Sequence, residues 1–331
     1  MSSLTLHAVV ESWPLTVPFR ITGHTFEVID VLAVTLGQDG LTGHGEAAGV
    51  YYRGEQAATM LQQVEAVRGA ITDGITRDAL QLLLPPGGAR NAVDCALWDL
   101  EAKITGRPVW ETLGVAAPRP LLTTFGCGAD TPENMASAAR AYTRAQAIKL
   151  KLTGEPMDAD RVRAVREARP DVWLSVDANQ GFTRDFLYNL LPVLVQAKVS
   201  LIEQPFPVGQ EALLEGFESP IPIAADECAL TVADLQALPG RFDAVNIKLD
   251  KCGGLTEAVR MARAARELGL DTLVGNMIGT SLAMAPSFMV GQLCSTVVDL
   301  DGPLFLKADR ALTVRYGHGY ISCPERVWGA G

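Results

Sequence analysis

The sequence lacks the features that mark several classes of protein. Its six cysteines include no Cys-x-x-Cys pair, which argues against a thiolate zinc site, and a chain of 331 residues needs no disulfide framework. Lysine and arginine total 28 against 38 aspartates and glutamates, and this net charge of −10 argues against a nucleic-acid or anionic-membrane partner, since either needs a basic face. No apolar run reaches the ~20 residues that cross a bilayer.

The amino terminus also lacks the pattern of a secretion signal. Residues 1–15 contain no lysine or arginine, and Glu11 interrupts their apolar stretch. We therefore expect a cytoplasmic protein with reduced thiols and with no nucleic-acid or membrane partner. The hydrophobic content of 48% is enough for a sizeable core, and the length suits one large architecture or two modest domains.

Two patterns divide the chain near residue 118, at the turn-forming run AAPRP. Before this boundary, β-branched stretches predict a β-meander, and helical periodicity then predicts three helices. The strand stretches are residues 9–13 and 28–37, and the helical stretches are residues 56–68, 77–83 and 90–103. Residues 1–118 are therefore predicted to form an α+β domain.

After this boundary, short apolar strands alternate with amphipathic segments of helix length. The strand candidates are residues 121–126, 147–152, 172–177, 199–203, 221–226, 243–248, 271–276 and 296–301. Eight strands with seven helical connections in about 180 residues favour a closed parallel barrel over an open sheet. An eight-stranded doubly wound sheet is the alternative, although no strand is followed by the G-x-G-x-x-G of its nucleotide-binding members.

Polar residues lie at or beside the carboxyl ends of six consecutive strands. They are Lys151, Asp177, Glu203, Asp226, Lys248 and Asn276. In a closed barrel all six converge on the carboxyl-terminal mouth, where such barrels hold their active sites. A single acidic residue there is an ordinary cap or salt bridge, but three on consecutive strands need a neutralising cation when buried. Oxygen ligands without histidine or cysteine suit Mg²⁺, so Asp177, Glu203 and Asp226 are candidate metal ligands.

Two lysine-bearing strands flank this ligand set. The alternation in AIKLKL places Lys149 and Lys151 on one face, which is either an exposed edge or the inner face of the barrel mouth. Lys248 lies three strands beyond Asp177. A metal-bound carboxylate has an acidified α-proton, and one lysine on each face could remove and return it. Lys151 and Lys248 are therefore candidates for a 1,1-proton transfer that inverts a carbon.

As a set, these motifs resemble the muconate-lactonising subgroup of the enolase superfamily. The motifs are K-x-K at Lys149 and Lys151, then VDANQGF, IEQPF, ADEC and NIKLDKCGG. The resemblance implies an N-terminal α+β capping domain (1–118) and an α/β catalytic domain (119–309) that is a modified TIM barrel, (β/α)₇β. It also implies that the tail 310–331 packs back on the capping domain.

The resemblance further assigns roles to residues. It implies one Mg²⁺ per subunit, bound by Asp177, Glu203 and Asp226, with Glu227 outside the ligand set. It implies that Lys151 and Lys248 are the acid/base pair, and that Lys149 helps to hold the substrate carboxylate.

Within the subgroup, the last predicted strand favours a dipeptide epimerase. Asp299 and Asp301 lie two residues apart on one face, where they could receive the free ammonium of a dipeptide. Their D-x-D resembles the dipeptide epimerase pattern, as do ARNAVDCALWDL and GNMIGTS, which contains the substrate-binding candidate Asn276. The expected substrate is a small dipeptide of the L-Ala-D/L-Glu class from cell-wall peptide turnover, inverted at its C-terminal residue. A simple Asp-x-Asp-Gly turn is the alternative.

One loop departs from the subgroup pattern. Such loops commonly carry an arginine for the glutamate side chain, but Gly23, His24 and Phe26 stand at the corresponding positions. His24 is therefore a candidate substrate contact, and Arg20 or Arg53 could replace the arginine. The sequence leaves open which dipeptide is bound.

Other functions and the assembly state also stay open. The same subgroup contains N-acylamino acid racemases, o-succinylbenzoate synthases and cycloisomerases. A Schiff-base aldolase could use a strand-end lysine, but three converging carboxylates would then have no purpose. A non-catalytic protein on an enzyme scaffold is a third possibility, and a homo-oligomer is possible.

Overall fold

The computed structural model describes residues 3–331. Its first element is an antiparallel sheet. Its strands β1 (Thr5–Ile21), β2 (His24–Gln38) and β3 (Leu41–Ala48) pair in sequence order. The β2–β3 hairpin turns at Asp39 and Gly40, whose φ angles of 52° and 83° are those of a type I′ turn, the usual Asp-Gly solution. Both predicted strand stretches, residues 9–13 and 28–37, lie within this sheet.

Five helices follow the sheet. They are α1 (Ala57–Ala66), α2 (Arg68–Thr72), α3 (Arg77–Leu83), α4 (Gly88–Thr105) and α5 (Val109–Leu113). Helix α4 lies so close to β3 that a Cβ on Gly43 or Gly45 would collide with its backbone. The predicted helix at residues 77–83 is confirmed, the one at 90–103 lies inside α4, and the one at 56–68 divides between α1 and α2.

A curled parallel sheet forms the second part of the molecule. After β4 (Leu121–Leu122), its seven strands are β5 (Thr124–Cys127), β6 (Ala147–Lys151), β7 (Trp173–Asp177), β8 (Val199–Glu203), β9 (Ile223–Ala225), β10 (Ala244–Lys248) and β11 (Asp271–Gly275). They lie in sequence order from one edge to the other, as expected of a barrel and unlike a doubly wound sheet. The barrel prediction is therefore confirmed.

Helices connect most of these strands. They are α6 (Pro132–Ala141), α7 (Asp158–Ala168), α8 (Arg184–Gln196), α9 (Leu249–Cys252), α10 (Leu255–Glu267) and α11 (Ser281–Gly291). The connections after β8 and β9 instead contain the short 3₁₀ segments Glu211–Leu214 and Val232–Ala237. The expectation of seven full helical connections is therefore wrong at these two places, where prolines and glycines interrupt the chain.

The predicted eighth strand, residues 296–301, forms a single bridge and no regular ladder. Its Val298 forms an isolated parallel bridge with Thr123, and Asp299 N donates to Val274 O at 2.8 Å on the other side. The ladder stops because Leu300 N donates to the Thr123 hydroxyl at 3.0 Å instead of to a backbone carbonyl. The segment thus spans the gap between β5 and β11 and occupies the position of an eighth strand.

The carboxyl-terminal tail contacts both parts of the molecule. Its hairpin, β12 (Arg315–Gly317) and β13 (Tyr320–Ser322), pairs with β4, so the predicted strand 121–126 divides between two sheets. Trp328 Nε1 then donates to His44 O at 2.9 Å, on the amino-terminal sheet. All six cysteines are free thiols. Between residues 3 and 331, no helix has the length and apolar character required to cross a membrane.

Candidate active site

Three carboxylates meet at the carboxyl ends of neighbouring strands. Asp177 ends β7, Glu203 ends β8 and Asp226 follows β9, and each is at most 1% exposed. One carboxylate oxygen from each lies within 4.8 Å of the others. The structure therefore brings together the three metal ligands expected from the sequence, and their all-oxygen donor set fits Mg²⁺.

Lys149 lies directly beside this triad. Its Nζ is 2.8 Å from a carboxylate oxygen of Glu203, 2.8 Å from one of Asp299 and 3.2 Å from one of Asp177. Burial lowers the pKa of Lys149, but Asp299 and Glu203 raise it more, so the net shift is upward. Lys149 is thus a buried permanent cation between the triad and Asp299.

The two candidate acid/base lysines approach the triad from different strands. Lys151 Nζ lies 2.6 Å from Asp177 Oδ2, and Lys248 Nζ lies 2.7 Å from Asp226 Oδ2. Three strands separate β6 from β10, so the two ammonium groups reach the centre from different sides of the mouth. Burial lowers the pKa of Lys248, but Asp226 raises it more. Both lysines line the same cavity.

The lysines offset the charge of the triad only in part. Burial raises the pKa of every triad carboxyl, but Lys151 and Lys149 turn the net shift of Asp177 downward, and Lys248 does the same for Asp226. Burial raises the pKa of Glu203 to about 8, a rise that Lys149 only limits. A further cation is needed to ionise all three at neutral pH, and a divalent metal ion would supply it.

Two residues that the sequence did not single out, Lys251 and Asn246, contact carboxylates of the triad. The fully buried Lys251 donates from Nζ to Asp226 O at 2.6 Å and to Asn246 O at 3.0 Å, and also pairs with the Asp226 carboxylate. Asn246 Nδ2 donates to Glu203 Oε1 at 2.9 Å. Both residues belong to the NIKLDK motif, where a second lysine directly after a buried strand was the available signal.

The aspartates of the last barrel segment form an acidic pole of the cavity. Asp299 accepts from the Thr124 hydroxyl at 2.5 Å, and Asp301 accepts from Gly126 N at 2.6 Å. Burial raises the pKa of Asp301 to about 7, with a further contribution from Asp299. Asn276 Nδ2 donates to Asp299 O at 2.6 Å and so holds this segment in place. A 3₁₀ turn does follow Asp301, but both carboxylates line the cavity.

Aromatic residues of the amino-terminal part cover the other side of this cavity, whose volume is about 540 Å³. They are Phe19, His24, Phe26, Tyr51 and Tyr52. His24 stacks on Tyr51 with ring centroids 5.2 Å apart and meets Phe26 edge-on at 4.3 Å. Among the described residues that line the cavity, neither Arg20 nor Arg53 is present, and both are exposed. The structure thus gives no support to either arginine as a replacement contact.

Asn179 and Glu227 extend the polar wall beyond the triad. Asn179 Nδ2 donates to both Asp177 and Glu227 at 3.2 Å. Glu227 directly follows Asp226 but lies outside the group of three potential ligands found among residues 3–331. Its role next to the ligand set stays a prediction.

Comparison with known families identifies the fold. The N-terminal domain model of mandelate racemase / muconate lactonizing enzyme matches residues 3–114, and the enolase C-terminal domain-like model matches residues 134–327. The chain belongs to the enolase superfamily. Together the two matches cover both the sheet that caps the cavity and the barrel that carries the triad.

Two curated members of the superfamily are similar over most of their length. An L-Ala-D/L-Glu epimerase from Escherichia coli is 38% identical over 96% of this chain and 99% of its own. An N-acetyl-D-glutamate racemase from Pseudoalteromonas is 39% identical over 83% of this chain and 87% of its own. The relatives thus include both a dipeptide epimerase and an N-acylamino acid racemase.

Two solved structures of superfamily members share this fold closely. One, from Agrobacterium tumefaciens, has homology to dipeptide epimerases and holds sodium and L-Ala-L-Glu. It is 39% identical, covers 98% of this chain and all of its own, and gives a TM-score of 0.95. A dipeptide epimerase from Methylococcus capsulatus, complexed with Mg and L-Arg-D-Lys, is 32% identical over 100% of this chain and 99% of its own, with a TM-score of 0.92.

Proposed function

We propose that this enolase-superfamily protein is a Mg²⁺-dependent dipeptide epimerase that inverts the α-carbon of the C-terminal residue. The observation that carries the proposal is the arrangement of one cavity. Lys151, Lys248 and the buried acidic pole line one space, and the two lysines pair with Asp177 and Asp226 of the three-carboxylate metal site. The similarity to L-Ala-D/L-Glu epimerase and to the complex with L-Ala-L-Glu supports L-Ala-D/L-Glu as the substrate class.

The substrate spans the cavity between its charged groups. Its free ammonium lies against Asp301 and Asp299, and its carboxylate lies at the triad next to Lys149. When bound by Asp177, Glu203 and Asp226, Mg²⁺ would hold that carboxylate and acidify the adjacent α-proton. The permanent charge of Lys149 stabilises the negative charge that develops on the carboxylate oxygens.

Lys151 and Lys248 then exchange protons with the α-carbon from its two faces. One lysine, in its neutral form, removes the proton, and the other, as an ammonium, returns one to the opposite face. The roles reverse for the other epimer. Each lysine must first leave the carboxylate oxygen that it pairs with, Asp177 Oδ2 or Asp226 Oδ2, and metal binding at those oxygens favours this release.

N-acylamino acid racemisation is the second candidate, and one relative favours it. An N-acyl substrate carries no ammonium, however, and would leave the buried Asp301 without a cationic partner. The acidic pole therefore favours a dipeptide.

Proton NMR in D₂O distinguishes these candidates. With Mg²⁺ present, we expect deuterium at the α-carbon of the glutamate of L-Ala-L-Glu, together with formation of L-Ala-D-Glu. N-acetyl-L-glutamate should react much more slowly under the same conditions. Absence of exchange across a broad panel of dipeptides would reject the proposal, and faster reaction of the N-acetyl compound would favour the second candidate.

Other expectations extend this proposal. Residues 1–118 would act as the capping domain, with the tail 310–331 packing back on it, and residues 119–309 as the catalytic domain. A cytoplasmic location, a role in cell-wall peptide turnover and homo-oligomer formation are predictions from the sequence, to be tested by cell fractionation, growth on the dipeptide and ultracentrifugation.

A further inference from the structure

The phenol hydroxyl of Tyr52 is buried in the cavity wall and has no hydrogen-bond partner between residues 3 and 331. Nearly all buried polar groups in native proteins are paired, so each exception requires an explanation. An unpaired hydroxyl on the wall of a binding cavity indicates a partner that arrives with the ligand.

The turn that carries Tyr52 is held firmly in place. Tyr52 is the middle residue of the 3₁₀ turn Tyr51–Arg53. The carboxylate of Glu55 accepts from Val50 N at 3.0 Å and from Gly88 N at 3.0 Å, which ties the turn to the start of α4. The backbone of the turn is therefore held in place, while the Tyr52 hydroxyl has no partner among the described residues.

Three charged groups of the barrel mouth shift the pKa of this hydroxyl. They are Asp226, Lys248 and Glu227. Burial raises the pKa of Tyr52, and Asp226 raises it further, so the phenol stays neutral and can donate. Glu227 Oε2 is also unpaired among the described residues, which shows that it does not accept from Tyr52. The donor thus shares a cavity with Lys248, whose Nζ pairs with Asp226 of the metal triad.

We propose that Tyr52 donates a hydrogen bond to the α-carboxylate of the substrate on the Asp226 side of the triad, an inference that rests on the proposed epimerase function. The substrate also offers a peptide carbonyl and a side chain as acceptors. Lys248 must lie beside the α-carbon and Asp226 beside the metal, and the α-carboxylate is the group that joins these two positions.

Tyr52 and Lys149 then contact the carboxylate from different sides. Lys149 lies against Glu203 and Asp299, whereas Asp226 and Lys248 are the charged groups that most affect the pKa of Tyr52. Removal of the α-proton moves negative charge onto the carboxylate oxygens, so a donor placed there binds the transition state more strongly than the ground state. Tyr52 is accordingly a catalytic residue that acts mainly on kcat.

The variant Tyr52→Phe tests this role because it removes the hydroxyl and keeps the ring, which packs edge-on against Tyr51 at 5.2 Å. We expect kcat for L-Ala-L-Glu to fall about 100-fold with little change in KM, as on loss of one oxyanion donor. The kcat for L-Ala-L-Gln, whose side chain is neutral, should fall by the same factor. Mn²⁺ affinity by electron paramagnetic resonance and the melting temperature should match those of the wild type.

The matched control is Tyr188→Phe, which removes a phenol hydroxyl from a side chain that is 70% exposed on α8 and should change neither kcat nor KM. Wild-type kcat in Tyr52→Phe would overturn the inference, as would a loss seen with L-Ala-L-Glu but not with L-Ala-L-Gln, which would assign the hydroxyl to the substrate side chain. Weakened Mn²⁺ binding would also overturn it. A wild type that inverts no dipeptide would overturn the proposed function, and this inference with it.

Discussion

Lys149 and Asp299 form a buried ion pair of 2.8 Å that joins the metal triad to the acidic pole of the cavity. Asp299 also accepts from the Thr124 hydroxyl, so both of its carboxylate oxygens already have partners. The Asp301 carboxylate accepts from a backbone N–H, that of Gly126, and pairs with no lysine or arginine of the described residues. The capacity to receive a substrate cation therefore resides mainly in Asp301.

Asp301→Asn should weaken selectivity for an ammonium group. The amide oxygen can still accept from Gly126 N, so the backbone bond survives while the negative charge is lost. We expect kcat/KM for L-Ala-L-Glu to fall about 10- to 100-fold, the range for a hydrogen bond to a charged group. The rate with N-acetyl-L-glutamate, measured by the same α-deuterium exchange, should change less than threefold.

A matched control for Asp301→Asn is Asp160→Asn, which removes a charge from an exposed ion pair with Arg163. Such surface pairs contribute little, so both substrates should react at wild-type rates. Equal losses of activity towards the dipeptide and the N-acetyl compound in Asp301→Asn would show that Asp301 does not bind the substrate ammonium.

The alternation of AIKLKL predicts the shared face of Lys149 and Lys151 because the side chains of a strand repeat every two residues. It cannot predict that Lys149 bridges Glu203 and Asp299, since that contact depends on how the sheet curls. The triad was predictable because each member ends or follows one strand of a barrel whose strand ends converge. Spacing along the chain therefore predicts the members of the site but not their pairing.

The contribution of the capping part was harder to predict. Tyr52 lies in a short turn with no periodic pattern, and its place on the cavity wall depends on tertiary packing between distant segments. The segment 296–301 reads as a strand by composition, yet the Thr123 hydroxyl takes the place of a backbone acceptor and ends its ladder. Such side-chain substitutions for backbone partners leave no periodic signal in a single sequence.

Replacing one acid/base lysine should abolish inversion of the α-carbon but leave exchange of the α-proton with solvent in one epimer. In Lys151→Met or Lys248→Met, epimerisation should fall at least about 1000-fold, because one face of the α-carbon has no proton carrier. Each variant should still exchange the α-proton of one epimer through its remaining lysine, and the two variants should prefer opposite epimers. Deuterium incorporation into L-Ala-L-Glu and L-Ala-D-Glu, followed by NMR, measures this preference.

The exchange experiment also separates epimerisation from one-base chemistry. A lyase or synthase of the same superfamily needs a single proton transfer, so only one of the two substitutions would abolish exchange. Exchange of the same epimer by both variants would contradict the two-face arrangement of β6 and β10.

Lys251→Met should weaken metal binding although residue 251 is not a metal ligand. The side chain that pairs with the Asp226 carboxylate and donates to the Asn246 carbonyl is lost, and outer partners of this kind typically contribute 10- to 100-fold to metal affinity. Mn²⁺ titration should show a loss of that order. The exposed Lys307→Met serves as the control, and unchanged affinity in Lys251→Met would limit Lys251 to a structural role.

Metal binding should strengthen as the pH rises towards 8. Burial raises the pKa of Glu203 to about 8 in the metal-free protein, so at pH 6 a proton occupies a ligand that the metal needs. Each unit of pH below about 8 should then lower the apparent Mg²⁺ affinity by up to about tenfold. Titration calorimetry at pH 7 in two buffers of different ionisation enthalpy should detect release of close to one proton per Mg²⁺.

The raised pKa of Glu203 also determines whether the stability of the metal-free protein rises or falls with pH. Between the ordinary pKa of glutamate, 4.5, and about 8, the folded state holds a proton at Glu203 that the unfolded state has released. The free energy of unfolding should therefore fall as the pH rises through this window. Saturating Mg²⁺ removes that proton and should make the dependence less steep in thermal melts, whereas a stability that rises from pH 5 to pH 8 without metal would contradict the assignment.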